Sequence, residues 1–300
     1  MGGLSKFLSL AQGELFQDII CLLERELIIP HQPLPAGEAM FHLVLDGHCW
    51  LRLDKEPPQH LGPGSFVLSS QGQAHSISRE VVEGHSSYVD LLCGRIKYAK
   101  GAGNLLMQGL PAQICVCLSQ YPGLPVLQLL TDTLRREYLQ SKPGASAIIN
   151  AIVQIIFAYA LRAYANMNNS KPSWLTLLAD ERLGKSVQAM LRSPEQPWSL
   201  YSLGKLSSMS RATYARQFKD KSGSTPGEVL LTIRMMHASR LLINSRRTLV
   251  DIAEAVGYQS EAAFSKAFKS LLGVNPGQWR RQQRNLFKGI EKSNYDPKRF

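Results

Sequence analysis

The sequence predicts an α+β protein of two domains: a β-barrel front half followed by a helical hairpin, and an all-α back half with a duplicated helix-turn-helix. Three observations predict it. Residues 28–97 run as short apolar segments divided by turn dipeptides. After Gly123 the spacing of apolar residues becomes helical. Two stretches, SMSRATYARQFK from Ser208 and GYQSEAAFSKAFK from Gly257, spell nearly the same thing. Three hundred residues are enough for two separate cores. The expected divisions are 1–125 for the barrel, 126–172 for the hairpin and linker, 173–284 for the helical domain and 285–300 for a basic tail.

In the front half, FHLVLDGHCWLRLD alternates around Asp46-Gly47, a hairpin-like dipeptide. GPGSFVLSS is a Gly/Pro turn leading into a strand, and SYVDLLCGRIKY is a further β-rich run. Strands at this spacing suggest a small antiparallel barrel or sandwich. Next come a helix through Leu127–Leu139, the breaker Ser141-Lys142-Pro143-Gly144 and a second helix from Ala145 to Met167. Short connection and helical spacing together make an antiparallel pair. Ala147–Ala165 is apolar enough to resemble a membrane span, but Asn150, Gln154 and Arg162 interrupt it. It is expected to be a buried helix at a domain or subunit contact, with no membrane partner. NNSKP, 168–172, reads as a linker.

Charge separates the halves. Residues 1–174 carry 13 Lys and Arg against 13 Asp and Glu; residues 175–300 carry 21 against 10, the whole net excess of +11. A polyanion partner for the back half follows. The five cysteines, Cys21, Cys49, Cys93, Cys115 and Cys117, all lie in the neutral half without CxxC spacing. That argues against a disulfide scaffold or a structural zinc site and for reduced thiols in a cytoplasm. The first residues have one lysine and no long apolar core, so no secretory leader is expected.

The repeat keeps its chemistry in step. Ser210, Tyr214, Phe218, Lys219, Gly223 and Pro226 recur fifty residues later as Ser260, Phe264, Phe268, Lys269, Gly273 and Pro276. Before the turn the offset is 49, as from Met209 to Tyr258, so the second turn is one residue longer. In each copy a short helix turns, a serine caps the next helix, and aromatics four apart face inward. This is a helix-turn-helix, whose second helix offers its outer N-terminal face to a major groove of double-stranded DNA. The outer faces expected to read bases are Arg211, Ala212, Thr213, Ala215 and Arg216 in the first copy. In the second they are Gln259, Ser260, Glu261, Ala262, Ser265 and Lys266. Arginine grips guanine, glutamine grips adenine, glutamate accepts from cytosine, and alanine or threonine methyls meet thymine. Lys219, Lys221, Lys269, Arg280 and Arg281 would meet phosphates. A helix through about Glu228–Asn244, with Ile233, Met236, Leu241 and Leu242 inward, would hold the readers about one DNA turn, roughly 34 Å, apart.

The stretch IAEAVGYQSEAAFSKAFKSLLGVNPGQWR, Ile252–Arg280, resembles the C-terminal signature of the AraC/XylS family of bacterial transcription regulators. The resemblance covers about 178–283 and implies a seven-helix DNA-binding domain with two motifs. It implies no enzyme activity and offers RNA polymerase as a candidate partner. Ser208 departs from it, standing where the family usually has glycine; a left-handed residue there costs a non-glycine about 1 kcal/mol.

FHLVLDGHCWLRL with GPGSFVLSSQGQAHSI resembles the cupin-type N-terminal domain of one branch of that family. Gly64, Gly72 and His75 keep the outline of the second cupin motif, with Ser70 where proline is common. The first motif is poor: His42 stands without His-x-His or a paired glutamate. His42, His48 and His75 are too few for a metal-binding cupin, so no metal and no cofactor is expected. His42 is then a half-buried strand residue and His75 a turn residue at a strand end. Cys21 and Cys93, brought together by an N-terminal segment on a late strand, are candidate oxidant or electrophile sensors where Arg25 or Arg95 lowers a thiol pKa. Small buried hydrophobes are the plainer role for both. The expectation is a cytoplasmic, homodimeric, DNA-binding regulator with an unknown effector or oxidant as its signal. The rivals are a metal-dependent cupin enzyme fused to a helical module, told apart by metal analysis, and an RNA-binding or architectural protein, told apart by competition with random duplex or RNA.

Overall fold

The computed structural model describes residues 28–283, apart from 36, 54–55, 80–88, 98–101, 120–122, 141 and 168–170. The chain forms two compact units. One runs from the first strand to Ala179, residues 102–105 excepted, and the other begins at Asp180. Cys21, Arg25 and the basic tail lie outside the described residues.

The first unit stacks two four-stranded antiparallel sheets. The strands are β1 (Ile28–His31), β2 (Glu38–Asp46), β3 (Cys49–Leu53), β4 (Gln59–Leu61), β5 (Ser65–Ser69), β6 (His75–Arg79), β7 (Asp90–Lys97) and β8 (Gln113–Cys117). Their orders are β1-β6-β3-β4 and β7-β2-β5-β8. The inward rows, among them Val44, Val67 and Leu91 from one sheet and Cys49, Leu51 and Ile77 from the other, close on one another as the core. One expectation is corrected. Asp46-Gly47 does turn, with Gly47 at φ 76°. But β2 and β3 do not pair; they enter different sheets. β2 is a central strand, buried on both faces from Ala39 to Leu45, and its neighbours β5 and β7 occupy both its edges. On the outer side of this sheet Phe41 stacks on Phe66, 5.8 Å between centroids, in room left by Gly94, where an added Cβ would meet the Phe41 ring at 2.4 Å.

Four helices are described up to Ala179: α1 (Ala102–Gln108), α2 (Leu124–Gln140), α3 (Ala145–Ala165) and α4 (Trp174–Ala179). α2 and α3 form the antiparallel pair; α3 also packs on β8 and α4, and Arg135 of α2 pairs with Asp90 of β7. α3 is long and apolar enough to cross a bilayer. It buries Ile149, Ile152, Val153, Ile156, Phe157, Ala160 and Leu161 against these neighbours, and leaves Ile148 and Ile155 more than two-fifths exposed.

The second unit is helical: α5 (Leu183–Arg192), α6 (Leu200–Leu206), α7 (Arg211–Ser222), α8 (Pro226–Asn244), α9 (Leu249–Ala255), α10 (Glu261–Leu272) and a helical stretch over 276–283. α8 is the rod. Thr225 caps it in a reciprocal box with Glu228, and Pro226 at its first turn loses no helical hydrogen bond. Ile233, Met236 and Leu242 face inward as expected, while Leu241 is half-buried. The rod packs against α5, α7, α9 and α10.

Candidate functional site

The two helix-turn-helix units are α6–α7 and α9–α10, and each is built from the same parts. Ser199 and Thr248 cap the first helices in reciprocal boxes with Ser202 and Asp251. Ser210 and Ser260 cap the second helices, their hydroxyls accepting from the N–H of Thr213 and Ala263. Gly223 and Gly273, both left-handed, end those helices. Tyr214, Phe218, Phe264 and Phe268 are wholly buried. The Tyr214 hydroxyl donates to Ser186 Oγ at 3.0 Å, and burial pushes its pKa up to about 12. Phe268 meets Trp279 edge-on at 6.2 Å. With the aromatics locked inward, the opposite faces of α7 and α10 are turned out.

On α7, Arg211, Ala212, Arg216 and Lys219 are exposed. Thr213 and Ala215 are half-buried, and Thr213 Oγ1 accepts from Ser210 Oγ as part of the cap. On and before α10, Gln259, Ser260, Glu261, Ala262, Lys266 and Lys269 are exposed and Ser265 is half-buried. Ala263, the counterpart of Thr213, is exposed as well; the sequence reading passed it over although the offset of fifty points to it. Arg280 and Lys221 have local work: Arg280 Nη2 donates to the Arg247 carbonyl at 2.7 Å, and Lys221 pairs with Asp180 at 3.3 Å.

Ser208 is left-handed at φ 53°, the sole non-glycine residue of that kind among the described residues. Arg182 braces it: Nε donates to the Ser207 carbonyl at 3.1 Å and Nη2 to that of Ser208 at 2.7 Å.

In the first unit strand register assembles a second site. Cys93 on β7 stands directly opposite His42 on β2, and His31 on β1 stands opposite His75 on β6. One cross-strand pair from each sheet thus points into the core. His42 is 1% exposed, Cys93 2% and His75 8%. His42 was expected half-buried; it is fully buried because it shares the inward row of Val44, two residues on. His48 does not join the group. It stacks on His60 at 5.1 Å instead, and His31 takes the place the sequence reading gave it.

The hydrogen bonds fix the tautomers. His75 Nδ1 lies 2.8 Å from the Gln73 carbonyl, which can only accept, so Nδ1 carries the proton and Nε2 a lone pair. His42 Nε2, 2.7 Å from His75 Nε2, must then donate. That leaves a lone pair on His42 Nδ1, aimed at Cys93 Sγ 2.9 Å away. All three imidazoles are held neutral. Burial, with His75 and Arg95 adding to it, lowers His31 to about 4; burial lowers His42 well below its ordinary value, and lowers His75 too. His31 Nε2 is buried with no hydrogen-bond partner among the described residues. The ligand atoms of His31, His42 and Cys93 lie within 4.8 Å of one another. Elsewhere, burial beside Cys117 pushes the Cys115 thiol up to about 11, and Cys117 itself is exposed next to Ser119.

A helix-turn-helix domain family model matches residues 203–282 and a cupin family model matches 26–166. An HTH-type transcriptional regulator of Haemophilus influenzae is 31% identical over 303 residues, spanning 94% of this chain and 99% of that protein. The chain belongs to the AraC-type family of helix-turn-helix transcription regulators. A second member, the RCS-specific transcriptional activator RclR of Escherichia coli, is 30% identical across 95% of this chain and 99% of its own. Among solved structures, the DNA-binding domain of AdpA in complex with a target DNA is 31% identical, with a TM-score of 0.34 over 35% of this chain. The family assigns both units: a cupin-type N-terminal domain, and a DNA-binding domain that carries the repeat.

Proposed function

We propose that this family member is a cytoplasmic homodimer that reads its operator through the exposed faces of α7 and α10, and that its cupin-type domain receives a small-molecule or oxidant signal. The observation that carries the reading is the pair of capped helices, each locked by two buried aromatics and each presenting side chains that suit the major groove. Arg211 and Arg216 suit guanine, Gln259 adenine and Glu261 cytosine; Lys219 and Lys269, in the last turns, suit phosphates. Arg280 is left to bracing the loop before α9. Support for a dimer comes from the helical pair, where Leu129 and Leu139 stay 66% and 79% exposed on α2 beside Ile148 and Ile155 on α3. An oxidant as the signal is supported by one relative's being RCS-specific and by the thiol in the buried cluster. Signal binding would shift the population of a DNA-competent arrangement, which RNA polymerase then meets.

Footprinting at a target promoter tests the reading. Arg216→Ala is expected to weaken specific binding about 10- to 100-fold, the worth of one bidentate base contact. Lys266→Ala should weaken it too. Intact footprints in both variants would overturn the assigned helix faces. Cys93→Ala should blunt the response to oxidant, and an unchanged response returns that thiol to packing. Light scattering should find two chains per particle, and fewer when Leu139 and Ile155 are made polar.

A further inference from the structure

We infer that His31, His42 and Cys93 form a three-coordinate site for a soft monovalent metal ion, Cu(I), with His75 positioning His42 from behind. The inference deepens the sensor reading above by naming what the cluster holds.

The donor set selects the metal. Two imidazoles and a thiolate are borderline and soft ligands, which suit copper and zinc and not calcium or magnesium. Their number then favours copper over a structural zinc. Structural zinc takes four ligands. The fourth group here is His75, and both its nitrogens are engaged, Nδ1 by the Gln73 carbonyl and Nε2 by His42. Charge points the same way. Cu(I) binding replaces the Cys93 Sγ–H proton: a metal–sulfur bond forms, the S–H bond breaks, and the proton leaves to solvent. The oxidation states do not change and the charge of the buried site stays as it was. A divalent ion would add one positive charge beside groups that are 1% and 2% exposed, with no carboxylate in the set to offset it.

Geometry allows it. Bonds of about 2.0 Å to nitrogen and 2.3 Å to sulfur, at trigonal angles, place ligand atoms roughly 3.5–3.7 Å apart. The present separations run from 2.9 Å, between His42 and Cys93, to no more than 4.8 Å, so the nearest pair opens by about 0.8 Å and the widest closes by at most about 1.3 Å to form the triangle. The lone pair of His42 already faces the metal position because the relay Gln73–His75–His42 fixes its tautomer, as a carbonyl behind a metal-binding histidine commonly does. His31, half-buried on the outermost strand among the described residues, is the least enclosed of the three ligands. This departs from the sequence expectation of no metal, which looked for paired histidines and glutamate within the cupin motifs; two of the three ligands here lie outside them.

The test is an anaerobic titration of the full-length protein with Cu(I), supplied as its acetonitrile complex, against a chromophoric Cu(I) chelator. One equivalent should bind, with one proton released, and X-ray absorption should show two nitrogens and one sulfur around copper. Cys93→Ala and His31→Gln should each weaken binding at least about 100-fold, and His75→Gln about 10- to 100-fold, while Cys117→Ser leaves it unchanged. Near-ultraviolet circular dichroism checks that each variant is folded. Failure of the wild type to compete with the chelator would overturn the inference, and so would sulfur-only coordination or full binding by folded Cys93→Ala. A Co(II) titration supplies the other arm: tighter, tetrahedral Co(II) binding would overturn the choice of a monovalent ion. The readout is occupancy, not transcription, so a negative result leaves the wider sensor reading to its own test.

Discussion

The two turns of the repeat, the second one residue longer, share a left-handed residue and hold it by different side-chain solutions. In α6–α7 the left-handed residue is Ser208, φ 53°; in α9–α10 its counterpart is Gly257, φ 82°. Ser208 is exposed, and Arg182 holds the carbonyls of the turn itself. Around Gly257 there is no room: an added Cβ would stand 2.6 Å from the Glu195 carbonyl and 2.7 Å from Arg234 Nη2. Arg234 does not bond that turn. It donates to the carbonyls of Pro194 and Gln196, at 2.8 and 3.0 Å, and stacks over the Tyr258 ring. A left-handed φ alone makes a serine somewhat costly. Close approach of a second loop makes glycine obligatory.

The largest effect tests what the copies share. Phe268→Ala and Phe218→Ala each empty a wholly buried site beneath a reading helix and should destabilise the helical unit by about 3–5 kcal/mol in denaturant unfolding. A loss below about 1 kcal/mol in either would mean that the aromatic pair does not hold its helix.

Next in size is the difference between the turns. Gly257→Ala should cost about 1–2 kcal/mol for the left-handed methyl, with displacement of the 194–196 loop adding to it. Tolerance within a few tenths of a kcal/mol would refute the close-approach argument. Arg182→Ala should cost about 1–2 kcal/mol through the two lost charge-assisted bonds, and the loss should fall on the first copy. Equal loss of operator contacts from both copies in a footprint would show that the brace is not local.

How legible each region was follows from how far apart its parts lie in sequence. The helix-turn-helix units are local. Caps at Ser210 and Ser260, aromatics four apart and glycine stops repeat within about twenty residues, so periodicity found them. The turn strain at Ser208 was legible for the same reason; the Arg182 that braces the turn, 26 residues away, was not. The histidine–cysteine cluster depends on register across four strands, and period two cannot say which inward histidines meet. IIPH, with a proline, is a poor strand signal, yet proline is tolerated on the edge that β1 occupies among the described residues. His48 sits closer to His42 in sequence but past the turn where the chain changes sheets. Reading Asp46-Gly47 as a hairpin hid that crossing.

The smallest effect is the most discriminating. Ser208→Gly should relieve about 1–2 kcal/mol of left-handed strain, while the added freedom of the unfolded chain costs about 0.5–1 kcal/mol. The net is a stabilisation of about 0–1.5 kcal/mol. Arg182 bonds backbone carbonyls, so the brace survives the substitution. The double change Ser208→Gly with Arg182→Ala should therefore lose about as much, relative to Ser208→Gly, as Arg182→Ala loses alone. Denaturant midpoints of the four proteins measure this. A coupling above about 0.5 kcal/mol would mean that Arg182 serves to hold a strained serine and not the turn as such, and the first copy would then depend on its departure from glycine.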